Sequence, residues 1–260
     1  MKKVDLSIII ISGNAQNDIK RCLDSCTFAN EIILVAANST DATVNIAKEL
    51  IPKIKITSTT DGYNRNFSKW RNLGWKLATK KWILYVDTDE VVTDELKKEI
   101  INTISSKEIT NSYYVIPRLN HFLGHRVRYG GTYPDYVKRL FHSPDFDGYQ
   151  GILHEEPIIK GSLGYLKSGF LHFTHQDLNS MLKKSLVWTD MEAVALFEDN
   201  HPPVVWWRFP RMMLTKFWER LIVQNMWRDG IVGWISVIFE VFDTYMIYAR
   251  LFELQRNKNA

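Results

Sequence analysis

The stretch WILYVDTDEVVTDEL, residues 82–96, sets Asp87, Asp89 and Glu90 directly behind one of the most apolar runs of the chain. Carboxylates that close repel one another at a desolvated strand end, so a cation is expected among them. Two chemistries use Asp-x-Asp after a buried strand. In one, the carboxylates help hold a divalent ion against the diphosphate of a nucleotide, stabilising charge as the nucleotide departs. In the other, the first Asp is a nucleophile and the second a general acid. The plainer reading, that Asp89 and Glu90 only precede or cap a helix near Asp94, is the weaker one, because three adjacent acids at a strand end are unfavourable without a cation.

The elements that position these acids follow from periodicity. Apolar runs predict strands at Leu6–Ile11, Glu31–Val35, Lys53–Thr57 and Trp82–Val86. Segments of helical period predict helices at Gln16–Cys26, Asp41–Leu50, Phe67–Ala78 and Asp94–Ile104, with Ser39-Thr40-Asp41 as a helix start. Strands that alternate with helices and are apolar on both faces imply a parallel sheet covered on both sides, with ligands beyond the carboxyl ends of the strands. SGNAQN, AANSTD and DTDE all fall there. From residue 112 the pattern changes to SYYVIPRL, YVKRLF and GFLHFTH, strands without clear helices between them, which should add mixed or antiparallel pairing.

After Gln176 the chain reads as helical and aromatic. Trp188, Trp206, Trp207, Trp218, Trp227 and Trp234 interleave there with Arg208, Arg211, Lys216, Arg220 and Arg228, and His201-Pro202-Pro203 is the candidate hinge. The run IVGWISVIFEVFDTYMIYARLF is long enough to suggest a membrane span, but Glu240, Asp243 and Arg250 interrupt it. Peripheral contact with a membrane and packing against protein are the two readings kept. Among 260 residues, 33 basic against 29 acidic residues give a net charge of +4, too mild to call for nucleic acid, and no nucleic-acid motif is present. Cys22 and Cys26, with no second ligand pair, argue against zinc or a disulfide framework and fit a reduced, cytoplasmic compartment. MKKVDLSIIIISGN reads as the first buried strand, not a signal peptide.

SIIIISGN, NSTDAT, KWRNLGWKLA, WILYVDTDE, YGGTYPDYVKRLF and ILHEEP, in this order, resemble family-2 inverting glycosyltransferases, most nearly the lipopolysaccharide core β-glucosyltransferase-like group. The resemblance covers about Leu6 to His175. It implies an α/β fold of the GT-A, nucleotide-diphospho-sugar transferase type, a mixed but mostly parallel sheet flanked by helices with a C-terminal helical extension. The expected division is a catalytic domain over 1–175, with a nucleotide-sugar half (1–110) and an acceptor and base half (111–175), then a Trp- and Arg-rich extension over 176–260.

The same resemblance implies Mn²⁺ or Mg²⁺ bound by Asp87, Asp89 and His172. It implies a donor pocket of Ser12, Asn14, Asn38, Asp41, Lys69, Arg71 and Asp87, and an acceptor side of Gly130, Gly131, Tyr133, Asp135 and Arg139, the glycines letting substrate approach the backbone. The catalytic base falls in His154-Glu155-Glu156, with Glu155 first and Glu156 second, since inversion needs one carboxylate at the acceptor hydroxyl. The implied reaction transfers a glucose-like hexose from a nucleotide-diphosphate sugar, in first place a UDP-sugar, to a cell-envelope saccharide or glycolipid such as lipopolysaccharide core, at the inner face of the plasma membrane. Ala36 stands where the family carries the Asp that reads the base, and Ala15 where it carries Glu, so another donor, or a non-catalytic sugar- or membrane-binding protein, stays open. DTDEVV also resembles the haloacid-dehalogenase-type phosphatases, but three strand–helix units precede it and no later acidic pair of the G-D-x-x-x-D type follows.

Overall fold

The computed structural model describes residues 4–60, 66–106, 108, 111–151 and 155–258. The first half alternates β1 (Val4–Ser12), α1 (Ile19–Cys26), β2 (Ala29–Ala37), α2 (Thr43–Leu50), β3 (Lys55–Thr59), α3 (Phe67–Trp75), β4 (Trp82–Asp87), β5 (Glu90–Val92) and α4 (Asp94–Ile104). Then come β6 (Tyr113–Phe122), β7 (His125–Arg126), β8 (Asp135–His142), β9 (Phe146–Gln150), β10 (Glu156–Ile159), β11 (Leu163–Tyr165) and β12 (Phe170–Phe173). The long helices α5 (Leu178–Glu198), α6 (Arg208–Trp218) and α7 (Gly230–Lys258) follow. Every strand and helix expected in the first hundred residues is present, with ends moved by a few residues. Thus α1 starts at Ile19, because residues 15–18 form a turn in which the Asp18 amide donates to the Ala15 carbonyl. Likewise α3 stops at Trp75, where the chain tightens into turns closed by Leu77 on Gly74 and Ala78 on Trp75.

Most strands form one large sheet in the order β3-β2-β1-β4-β8-β6-β12-β5, with β7 and β11 also pairing with β6, while β9 and β10 make a separate antiparallel pair. β1 lies parallel to β2 and β4, whereas β8 runs antiparallel to both β4 and β6. Alternation along the central strands feeds two cores. Leu6, Ile8, Ile10, Leu84 and Val86 face α1, α2 and α4, meeting Leu23, Ala47 and Leu96. Ile9, Ile11, Ile83, Tyr85 and Phe141 face α3, meeting Trp70. On that second side Gly74 of α3 rests directly on Ile9 and Val35, and a Cβ there would collide with the Ile9 side chain.

Contact density divides the chain into two units, 1–118 with 135–172, and 119–134 with 173–260. The segment 119–134, the end of β6 with β7 and the loop after it, thus groups with the helices. In this second unit β6 turns into β7, with His121 opposite Arg126, and the Asp229 carboxylate accepts the backbone amides of Arg128 and Tyr129. α7 packs along α5 and α6: Asp243 accepts from Ser185, Glu240 pairs with Arg220 at 2.5 Å and Arg250 with Asp190 at 2.8 Å. By length and composition the helix over Met226–Asn257 could cross a membrane.

The amino-terminal end of the sheet in the first unit is pinned by Glu31. Its carboxylate accepts from Ser7 Oγ, the Thr79 amide (2.8 Å), Thr79 Oγ1 (2.9 Å) and Lys55 Nζ. Burial alone would raise this carboxyl, but the bonds from Lys55, Ser7 and Thr79 hold it at about 2. A carboxyl depressed on folding stabilises fully above its unfolded value of about 4.3, and that contribution disappears as pH falls towards 2. Glu31→Ala should therefore lose about 2 kcal/mol in urea titrations at neutral pH, and the deficit should shrink between about pH 4.3 and 2.

Candidate active site

Parity and register build the site within the first unit. Asp87 ends β4 on the face of Tyr85, opposite Ile11 of β1. Leu84 pairs with Leu140 of the antiparallel β8, and the β6–β8 register shifts just beyond, between Leu140 and Lys138, at Arg139, whose side chain reaches the Asp87 end. The Arg139 guanidinium, only 5% exposed, donates to the Asp87 carboxylate and reaches Glu90 Oε1 at 3.4 Å. Glu90 is wholly buried, and its other oxygen accepts the Asp87 amide at 2.9 Å. Arg118 of β6 stands 3.9 Å from Glu90 and pairs with Asp135 at 2.7 Å. The cation demanded by the acidic run is therefore arginine, supplied from a neighbouring strand. Burial opposes the charge on Asp87, yet Arg139, Arg71 and Arg118 hold its carboxyl at about 2. Glu90 moves the other way, because burial and the nearby Asp87 charge outweigh Arg139.

Arg71, on α3 across the same face, links two carboxylates. Its Nε and Nη2 donate to Glu155 Oε1 at 3.0 and 2.8 Å, and Nη2 lies 3.7 Å from Asp87 Oδ1. Its guanidinium packs over the rings of Tyr85 and Tyr149 at 5.4 and 5.2 Å. Burial pushes the Tyr149 phenol to about 12 and Tyr85 well above its usual value, so both rings stay neutral under Arg71. Asn72, the next residue of α3, exchanges two hydrogen bonds with the Tyr149 backbone and fixes β9 against the helix. Among the described residues Glu155 Oε2, Arg71 Nη1 and Arg139 Nε are buried without a hydrogen-bond partner. Three unpaired polar atoms around one acid–arginine cluster mark where a polar ligand can be received.

Asp89 leaves the arginine cluster and faces His172, Oδ2 to Nε2 3.5 Å. The pairing of β12 with β5, His172 opposite Glu90, brings that histidine there. A carboxylate and an imidazole so close suit a divalent metal ion, whereas Asp87 is engaged by two arginines. No cluster of three or more His, Cys, Asp or Glu ligands exists among the described residues. The donor set fits an ion that takes two protein ligands and completes its shell with substrate phosphate and water.

The donor-side candidates lie at the carboxyl ends of β1 and β2. Ser12 is buried and donates to the Gly13 carbonyl at 2.9 Å. Asn14 Oδ1 accepts the Thr40 amide at 2.8 Å, and Asp41 accepts the amides of Gln16 and Thr43, both at 3.0 Å. These bonds splice the β1–α1 and β2–α2 loops together; α2 starts at Thr43, two residues later than the expected Asp41, whose carboxylate accepts the Thr43 amide. Against the opposition of burial, these bonds also lower the Asp41 carboxyl. Asn38 takes a left-handed conformation with φ 53° and donates its amide to Thr59. Ala36 is buried between Ser12 and Ser58 on adjacent strands. Lys69 is an exposed residue of α3, whose first turn is capped by Asn66.

The acceptor-side candidates separate. Asp135 and Arg139 belong to the first unit, and Arg139, expected on the acceptor side, is spent on Asp87 and Glu90. Gly130, Gly131 and Tyr133 belong to the second unit. Both glycines have φ 71°, and the room they leave is filled by the protein itself: Met226 lies against Gly130, Gln224 and Arg220 against Gly131. Tyr133 is exposed, with Arg126 over its ring at 5.8 Å. Glu156 lies on β10, exposed and paired with Lys138 at 2.6 Å, while Glu155 turns inward to Arg71. Ile152, Leu153 and His154 of the same motif lie outside the described residues. Sequence reasoning missed Arg118, Tyr149 and the purely internal role of Glu90. An arginine inside the apolar strand YYVIPRL was the available signal for the first.

A family model described as glycosyl transferase family 2 matches residues 7–188. The chain belongs to this family. Its fold is accordingly the expected GT-A-type α/β architecture, with a mixed sheet between helices and further helices after it. The glycosyltransferase SunS of Bacillus subtilis is 32% identical over 151 residues, 57% of this chain but only 34% of SunS. This family-2 chain thus spans about a third of that relative. The lipopolysaccharide core biosynthesis glycosyltransferase LpsC of Rhizobium meliloti is 22% identical, covering 96% of this chain and 93% of LpsC. Among solved structures, residues 1–349 of S. aureus TarS in complex with UDP-GlcNAc superpose with a TM-score of 0.48 at 14% identity, covering 97% of this chain and 92% of that one. The Pyrobaculum calidifontis mannosyltransferase PcManGT, in complex with GDP-Man and Mn²⁺, gives 0.49 at 10% identity, with 98% and 87% covered.

Removing Arg139 strands the buried Glu90 and the half-buried Asp87, a loss of about 3 kcal/mol. Arg139→Ala should show this as a lower urea midpoint. Asp87, depressed in the folded state, stabilises above its unfolded value and loses that contribution as pH falls through about 2. In Arg139→Ala that acid-side loss should begin at higher pH, read by circular dichroism across an acid titration.

Proposed function

We propose that this chain is an inverting glycosyltransferase that moves a hexose from a nucleotide-diphosphate sugar to a hydroxyl of a cell-envelope glycan or glycolipid, with Glu155 as general base. The observation that carries this reading is the Arg71 clasp, which holds Glu155 and the first aspartate of the Asp-x-Asp run against one guanidinium. Inversion by a single displacement needs a base on the acceptor side and charge stabilisation on the leaving side of one anomeric carbon. Glu155 Oε1 is fixed by Arg71, which leaves Oε2 to accept the acceptor proton. Asp87, kept ionised by Arg139, orients the end of β4, so that Asp89 projects beyond it towards His172.

Asp89 and His172 would hold Mn²⁺ or Mg²⁺, which supplies Lewis-acid stabilisation of the departing diphosphate. The spliced loops of Asn14 and Asp41 would form the floor under the nucleotide. Ala36, with no carboxylate to offer the base, leaves a UDP-sugar as the first donor to test rather than the only one. Family membership and the LpsC likeness support a core-saccharide acceptor, and a cytoplasmic place at the inner membrane face suits such a substrate. The phosphatase reading needs Asp87 free to attack, and two arginines hold it.

Turnover of radiolabelled sugar nucleotides tests the roles. Glu155→Gln should lose about 10²–10⁴-fold in kcat, with Glu156→Gln far less affected. Asp89→Ala should abolish the response to added Mn²⁺. A Glu155→Gln protein that is folded and fully active overturns the reading.

A further inference from the structure

The second unit carries a surface that none of the proposed chemistry uses. α6 has no buried residue along its whole length. Around it Trp206 is 80% exposed and Leu214 68%, and Trp207, Trp218, Val223 and Trp227 are exposed as well. The contacts Phe209–Tyr245 and Phe217–Trp234 lay α6 along α7, so its exposed side continues onto that helix. There Ile231, Ile238, Tyr245 and Phe252 recur every seven residues, all exposed, with Trp234 and Phe242 between them. A seven-residue spacing keeps them on one stripe. The acids of α7 are engaged by neighbours, Glu240 with Arg220, Asp243 with Ser185 and Glu253 with Arg250.

Charge decides what covers this face. Residues 204–228 hold Arg208, Arg211, Lys216, Arg220 and Arg228 against the single acid Glu219; with Lys216 paired to Glu219 and Arg220 to Glu240, the belt presented outward is Arg208, Arg211 and Arg228. Three of these cations sit on rings: Arg208 and Arg211 over Trp207 at 5.8 and 5.9 Å, and Arg228 over Trp227 at 5.4 Å. A second copy docked about a twofold axis would set this cationic belt against itself. An anionic headgroup layer instead complements it, with indole rings at the boundary and aliphatic side chains below.

We infer that the α6–α7 face docks this protein on an anionic bilayer surface, lying in the headgroup boundary rather than crossing the membrane. One side of α7 stays packed on α5 and α6, its buried Val237 and Leu251 included, as a face-down helix requires. Vesicle co-sedimentation of the full chain, with no sugar nucleotide or acceptor present, tests this independently of the transfer reaction. The chain should pellet with phosphatidylcholine vesicles containing phosphatidylglycerol, weakly with phosphatidylcholine alone, and be released by salt. Arg211→Glu with Arg228→Glu should lower the partition at least roughly five-fold per cation. Trp206→Ser with Trp218→Ser should lower it comparably, both proteins keeping the wild-type thermal melt. Failure to pellet, equal binding to neutral vesicles, binding unmoved by these variants, resistance to alkaline extraction as for a spanning helix, or a solution dimer broken by the tryptophan variants without vesicle binding would each overturn the inference.

Discussion

A buried carboxylate at the end of a buried strand is tolerable only with a cation within reach, and here Arg139 meets Asp87 and Glu90 together. Much of the site follows from that contact. β8 has to lie antiparallel beside β4 for the guanidinium to arrive, which places the later strands on that side of the parallel half of the sheet. With Glu90 turned inward to receive the Asp87 amide, the chain between them bends and Asp89 is carried outward. Asp87 and Glu90 are thereby engaged by arginine, while Asp89 faces His172.

Arg71 extends the same logic from α3 on the same face of the sheet. It brings in Glu155 from beyond β9 and shields the pair with two neutral tyrosine rings. Burying several charges together is unfavourable unless each finds a partner, and most of their polar atoms are paired here. The few left unpaired cluster around one spot. The same elements therefore stabilise the sheet end and leave it receptive.

The parallel half was legible because runs such as SIIIIS and WILYV are apolar on both faces and the intervening segments keep helical period. Short pieces such as Glu90–Val92 and Leu163–Tyr165 were not, since three residues carry no period. Asp89 with His172, and Glu155 ahead of Glu156, came from motif order; the structure sets Asp89 3.5 Å from His172 and pairs Glu155 with Arg71. The pairing of Arg139 with Asp87 was not legible, because the two positions lie some fifty residues apart and nothing local announces that contact. The glycines at 130 and 131 were read as space for substrate, when Met226 and Gln224, about a hundred positions later, use that space.

Gly74 sits one helical turn beyond Arg71, with its bare backbone seated on Ile9 and Val35. The depth to which α3 sinks into the sheet thus sets how far the Arg71 guanidinium extends towards Asp87 and Glu155. A methyl group there would act as a shim, lifting the helix and lengthening both ion pairs at once. A position with no functional group at all thereby governs the spacing of the charges, and tolerance to substitution at 74 is a gauge of how closely the cleft must be held.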